Sequence, residues 1–281
     1  MGRLRQWLAD TLTAQASTRT AALMRMALVG TIWSRLAFGV RPVRDLFNLE
    51  HWVLSAAFFV FTPMLFLGYR TRLASIGTAL TMLALYYWFG FYRGEEGWTH
   101  HHIYTMVISS VLLVFTRSGG SWSVDRYLEV REAERAGVAP PPELGPTYGL
   151  VLFQLQLTGM YFWTAFDKTR WSFFTGEQMQ MVFATLYFGS DPPKIPGYNA
   201  LSFLAGAGTI ALEYGLAILP WFRRTRLHIL VLGALFHSVL YILLPVSTYT
   251  FTMLTMYIAW ISPDGFHRLV DRMNGVSAQR G

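Results

Sequence analysis

Apolar runs of about twenty residues recur along the chain, separated by short segments that hold most of its arginines. A helix needs about 20 mostly apolar residues to cross the hydrocarbon core of a bilayer, so the pattern predicts one spanning helix per run. The first covers residues 20–38 and is interrupted by Arg25 and Arg35. The second (51–69) and third (73–92) hold no Asp, Glu, Lys or Arg. The fourth (99–116) opens on three histidines, the fifth is 144–166, and the sixth (199–222) carries one charge, Glu213. The stretch 227–263 is 37 residues without a charge. That is too long for one span, and Pro245 divides it into a seventh and an eighth. The reading is all-α: a polytopic helical membrane protein of about eight spans, within a range of seven to nine.

The flanking segments follow from the same pattern. Residues 1–19 contain no apolar core of the kind a cleaved signal peptide needs. Trp7, Leu8 and Leu12 share one helical face there, which predicts a short interfacial helix. The loop 117–143 is polar, with an acid/base run at 127–135 and then Pro140, Pro141 and Pro142, and reads as a solvated helix followed by a stiff linker. The loop 168–198 is rich in Phe, Met and Tyr over 172–188. It reads as an interfacial segment that ends in the turn 191–194. Three parts result: a cytoplasmic or interfacial segment (1–19), one transmembrane helical domain (20–263) and a cytoplasmic tail (264–281).

Composition sharpens this picture. The chain is 53% hydrophobic and 14% charged, against about 25% charged for a soluble domain. That excludes a disordered chain and an ordinary water-soluble enzyme. The absence of cysteine excludes disulfides, thiolate nucleophiles and Cys-based metal sites. Of the 23 basic residues, all but Lys168 and Lys194 are arginine. They sit in turns between apolar runs, as topology determinants facing lipid phosphates rather than nucleic acid. With the N-terminus inside, the inside segments hold 15 Lys and Arg and the outside segments 6. This predicts both termini on the cytoplasmic side of the inner membrane.

Ionisable groups within spans are costly and so are candidates for function. Arg25 and Arg35 lie near the two ends of the first span, where long side chains snorkel to the interface. His100, His101 and His102 point about 100° apart on a helix, so they cannot all face one site. No carboxylate or cysteine spacing completes a metal centre around them, and no metal is expected. Lys168 follows the fifth span directly. It stands out in a chain that otherwise uses arginine, because a desolvated lysine can lose its proton and act as a base. Glu213 should face the bundle interior, be protonated, or pair with a cation such as a histidine. His237 lies mid-span with Tyr241 one turn on. Phosphate-loop, dinucleotide, hydrolase-elbow and His-Glu-x-x-His signatures are all absent.

Four segments carry a family resemblance: Trp98-Thr99-His100-His101-His102-Ile103-Tyr104; Ser121-Trp122-Ser123-Val124-Asp125; Phe166-Asp167-Lys168-Thr169-Arg170-Trp171 through Gly176; and Phe236-His237-Ser238. In order and rough spacing they resemble the membrane part of vitamin K-dependent gamma-glutamyl carboxylase and the wider set of bacterial proteins with the horizontally transferred transmembrane (HTTM) domain. The chain reads as a short form without the propeptide-binding extramembrane part. Asp167-Lys168 stands where the family has paired lysines, and His100 where the carboxylase has asparagine. The resemblance implies that Lys168 is the catalytic lysine and His101 the family histidine, with His100 beside it. Trp98, His102, Tyr104, Trp171, Glu213, His237 and Tyr241 are then the surrounding candidates for holding a quinone. The implied reaction takes reduced vitamin K or menaquinol with O2 and CO2. Quinol epoxidation is coupled to proton abstraction and carboxylation of a Glu-containing or other substrate. The expected partners are membrane lipids, quinone and a small peptide or protein, with the active site toward the periplasm or cell exterior. Two other readings of the same residues stay open. One is a non-catalytic scaffold that binds quinone or lipid. The other is a redox protein with haem between His101 and His237.

Overall fold

The computed structural model describes residues 2–40, 48–189, 193–244 and 247–275. The chain is almost entirely helical. In order come α1 (Gly2–Thr13), β1 (Gln15–Ser17), α2 (Arg19–Val40), α3 (Leu49–Leu67) and α4 (Thr71–Leu85), which runs on as π-helical turns over Tyr86–Tyr92. Then follow α5 (Glu96–Thr99), α6 (His101–Leu113), α7 (Val124–Arg135), β2 (Leu144–Pro146), α8 (Tyr148–Lys168), α9 (Trp171–Phe174) and α10 (Glu177–Phe183). The last are α11 (Tyr198–Ile218), α12 (Arg226–Leu243), α13 (Ser247–Tyr257) and α14 (Pro263–Met273). The chain forms two compact units, one of residues 1–154 with 237–281, the other of residues 155–236.

Among the described residues, five helices are long and apolar enough to cross a membrane: Arg19–Val40, Leu49–Leu67, Thr71–Tyr92, Tyr198–Trp221 and Arg226–Leu243. The other three expected spans are helical too, but differ for local reasons. The fourth shortens to the 13 residues of α6, because His100 is extended (φ −63°, ψ 146°) and turns replace helix from Val114. The fifth starts later than expected, because 144–146 pair antiparallel with β1. It also ends later, so Lys168 is the last residue of α8 rather than the first beyond it. The eighth is the 11 residues of α13 plus a 3-10 turn over Ile258–Trp260. Pro245, part of the 191–194 turn, and the side chains of Trp7 and Leu8 lie outside the described residues; α1 is helical as expected.

In the first unit, small and hydroxylated residues set the packing. The buried face of α3 is His51, Ser55, Phe58, Thr62 and Leu65, spaced three and four apart. It packs against α2 and α4. Between apolar helices in lipid, such residues allow close backbone approach and supply hydrogen bonds where hydrophobic burial gives no drive. Trp33 Nε1 donates to Thr62 Oγ1 at 2.7 Å, and the Thr31 and Thr255 hydroxyls meet at 3.0 Å to join α2 to α13.

One end of this unit is a polar knot, and it corrects the expectation for Arg25. That side chain does not snorkel; it is fully buried. Its Nη1 donates to the Ser118 carbonyl at 2.7 Å and its Nη2 to the Trp122 carbonyl at 2.6 Å. The acceptors are there because the loop after α6 folds back over α2. Asp125 takes hydrogen bonds from the backbone N–H of Arg70 and Thr71 and from the Thr71 hydroxyl, all at 2.7 Å. It thereby caps α4. Ser123 caps α7, accepting from Arg126 N at 2.9 Å. A side chain at Gly68, in the left-handed region at φ 68°, would run into Ser123 and Arg25. The Trp-Ser-Val-Asp segment is thus the junction of α2, α3, α4 and α7. Beside it, Arg19 reaches Glu143 at 2.8 Å and Asp271 at 2.6 Å, and Ser17 Oγ meets His267 Nδ1 at 2.9 Å. These contacts dock α14 against the start of α2.

In the second unit, α9 and α10 pack along α11. Gly176 (φ 83°) and Gly206 make this possible. A Cβ on Gly206 would collide with the Phe173 carbonyl, and one on Gly176 with the backbone of Ser202 and Phe203.

Candidate functional site

The second unit holds the lysine. α8 ends at Lys168, and its amine reaches across to α11, donating to both Glu213 oxygens at 3.0 Å. A third, longer contact goes to the Thr164 carbonyl at 3.4 Å. Glu213 is buried at 6% exposure, and the Lys168 side chain keeps 27%. Glu213 therefore faces inward as expected, and the cation it finds is lysine, not histidine. At the next residue on each side, Thr169 Oγ1 meets Tyr214 Oη at 3.1 Å, a second tie between the end of α8 and α11.

Around the amine is an open cavity of about 360 Å³, lined by Trp163, Thr164, Asp167, Arg170, Phe173 and Gln178 together with Lys168. Its floor combines aromatic faces with amide and hydroxyl groups. Asp167 and Arg170 pair with each other at 2.6 Å on the exposed side and leave Lys168 to Glu213. Trp171 is 78% exposed, stacked obliquely near Phe174, at the turn after Lys168.

Such a pair has one chemical property that an exposed lysine lacks. Its proton can pass to the adjacent carboxylate, which leaves a neutral amine facing the cavity without first releasing a proton to water. Arginine could form the ion pair but could not become a base.

The first unit holds the histidines. The Tyr249 ring lies edge-on to His101, with centroids 4.8 Å apart, and at 5.5 Å to His237. His237 is almost fully buried, also faces Tyr257 at 6.1 Å, and its backbone carbonyl accepts from Thr250 Oγ1 at 2.9 Å. His101 is exposed. His100 caps α6 in extended conformation and stacks on His102 at 5.6 Å. His102 is half-buried, and its Nε2 has no hydrogen-bond partner among the described residues. Trp98 is buried flat against Phe89 at 4.5 Å. Tyr104 is half-exposed beside Tyr86, and Tyr241 is half-exposed against Phe251. Among the described residues, no group of three His, Asp or Glu is arranged to hold a metal ion.

Two residues of this cluster were not singled out in the sequence. Tyr249 gave no signal, since a tyrosine in an apolar run is ordinary. His51, fully buried with its ring edge-on to Phe89 at 5.6 Å, was visible as a histidine opening an uncharged span.

Compared with known proteins, the chain matches the HTTM domain family over residues 44–264. No curated protein matches it, and no solved structure does.

Proposed function

Because this chain belongs to the HTTM domain family, a membrane domain associated with vitamin K-dependent carboxylase-like proteins, we propose that it is an integral membrane enzyme of that type, with Lys168 as its base. The observation that carries the reading is the lysine itself. It is one of two in a chain of arginines, it is held by a buried carboxylate, and it opens on a cavity. The fit of a reduced naphthoquinone rests on that cavity. Its volume lies at the lower end of the roughly 300–1,000 Å³ of small-molecule sites. Aromatic walls at Trp163 and Phe173 suit a flat ring, and Gln178 and Thr164 offer polar contacts to its oxygens.

In this reading the quinol is a co-substrate that, oxidised by O2 to its epoxide, supplies the strong base that removes a carbon-bound proton, after which CO2 adds. The protein's own work is acid–base chemistry and placement. Lys168, its proton handed to Glu213, accepts the proton of the quinol hydroxyl. Glu213 holds the amine at the cavity mouth. A haem held by His101 and His237 would have to displace the Tyr249 ring that packs on both, which counts against that reading.

We read the chain as spanning the inner membrane about eight times, with both termini in the cytoplasm and Lys168 at the opposite face. In support, four of the five arginine-rich segments assigned to the inside meet one another: Asp125 with Arg70 and Thr71, Glu143 with Arg19, Asp271 with Arg19. The test of function is Lys168→Arg. It preserves the charge facing Glu213 and removes the base, so the variant should fold and lose quinol turnover by about 100-fold or more. Undiminished turnover would sink the lysine as base. Quinone binding without turnover in the parent protein would leave a scaffold.

A further inference from the structure

A second cavity, of about 470 Å³, lies in the first unit where the start of α4, the loop after α6, α7 and the start of α8 converge. Its charged groups are Arg72, Arg117, Asp125 and Glu129. Equal numbers of cations and anions would suggest a neutral ligand, but the hydrogen bonds show otherwise. Asp125 is engaged by three donors from Arg70 and Thr71. Glu129 is taken by Arg126 at 2.7 Å, and Arg117 reaches it only at 3.8 Å. The guanidiniums are underused. Arg72 gives one hydrogen bond, to the Val114 carbonyl, and has no carboxylate partner among the described residues. Arg117 gives one, to the Leu144 carbonyl at 2.9 Å. A planar guanidinium has five N–H donors, so most of those on these two residues remain available.

Nearby, the Ser75 and Thr116 hydroxyls spend their protons on helix carbonyls and keep lone pairs only. The cations that the cavity offers are those of Arg72 and Arg117, and their N–H groups suit an anion with several oxygens. Arg72 stands in the first turn of a span, and the half-exposed Phe115 and Tyr148 flank the cavity, so it sits at headgroup depth.

We propose that this cavity binds the phosphate of a phospholipid headgroup, bridged by Arg72 and Arg117. The ligand is then a lipid of the leaflet facing this polar end. It would staple α4 to the loop after α6 and to the start of α8.

The test is mass spectrometry of the intact protein released from nanodiscs made of phosphatidylglycerol and phosphatidylcholine, comparing the parent with Arg72→Gln/Arg117→Gln. Arg93→Gln, remote from the cavity lining, serves as control. One retained phospholipid per chain is expected on the parent and the control, with occupancy reduced about tenfold in the double variant, the scale of losing one charge-assisted contact set. Arg72→Lys/Arg117→Lys keeps the charge and shows whether loss reflects misfolding: it should retain an intermediate amount. Displacement of the lipid by millimolar inorganic phosphate would support the proposal, whereas phosphate adducts on a parent protein that retains no phospholipid would assign the site to a soluble phosphate and overturn it. Equal retention in parent and double variant, or, from nanodiscs that also contain diacylglycerol, retention of diacylglycerol as well as phospholipid, would overturn the proposal.

Discussion

Lys168 and Glu213 are 45 positions apart and face each other across two helices. Their bond is a test at the residue scale. Glu213→Gln keeps the shape and one hydrogen bond but removes the group that takes the proton. Turnover should fall by about tenfold or more, with folding intact. An unchanged rate in a binding-saturated assay would show that the carboxylate is only structural. Arg25 gives a second test. Truncation to Ala leaves two carbonyls, the buried one of Ser118 and the part-buried one of Trp122, without their donor and opens a cavity. Each unsatisfied group costs about 1–3 kcal/mol. The variant should therefore lose about 3 kcal/mol or more, measured as a lower midpoint of thermal unfolding in detergent, while Arg35→Ala, at an exposed position, should be near neutral. Equal effects would contradict the burial.

These residues also mark how far single positions are legible in sequence. An acid inside a span and a lone lysine among arginines announce themselves by cost and by rarity. Their pairing does not, because any inward cation could have met Glu213. Arg25 looked like a snorkelling residue because its distance from the end of the span was all that the sequence showed. Its acceptors come from a loop more than ninety residues later.

At the scale of elements, hydrophobic length located all the long helices. It missed the trimming by local partners: β1 pairing with 144–146 delays α8, and the extended His100 shortens α6. Neither effect has a hydropathy signal. The polar loop 117–143 looked like a solvated helix, and α7 is one, but the same loop carries Asp125, which fastens α4. Asp125→Ala removes a carboxylate with three donors from a helix start. Caps of this kind are worth about 0.5–2 kcal/mol, with more for charge-assisted bonds. The variant should unfold earlier by about 2 kcal/mol, and Asn, which keeps one acceptor, should recover part of it. Stability equal to the parent would mean that the knot does not hold these helices together.

For the whole molecule, the docking of α14 depends on ion pairs that pH can change. The hydrogen bond from Arg19, with the charges of Arg19 and His267, holds the Asp271 carboxyl below its ordinary value. A carboxyl depressed in the folded state stabilises that state above its unfolded pKa of about 3.9 and loses the contribution as pH falls through the folded value. Docking of α14 should therefore be constant from neutral pH down to about 4 and weaken below it. The chain has no cysteine, so a spin label on Met273→Cys reports this helix alone. Its mobility should rise in acid, and Asp271→Asn should be mobile at all pH values. An immobile label at pH of about 3 would contradict the docking contacts. On the same scale, the division into two units left no trace in the sequence, since α8 and α12 each run through it unbroken.

The central claim, a lysine base for quinol oxygenation, is tested most directly with purified protein in lipid nanodiscs given menaquinol or reduced vitamin K, bicarbonate and isotopically heavy O2. The product is analysed by mass spectrometry. Quinone epoxide carrying the heavy oxygen, formed by the parent and absent with Lys168→Arg, is the result expected. No epoxide from folded protein with either quinol, or equal amounts from both proteins, would contradict the account.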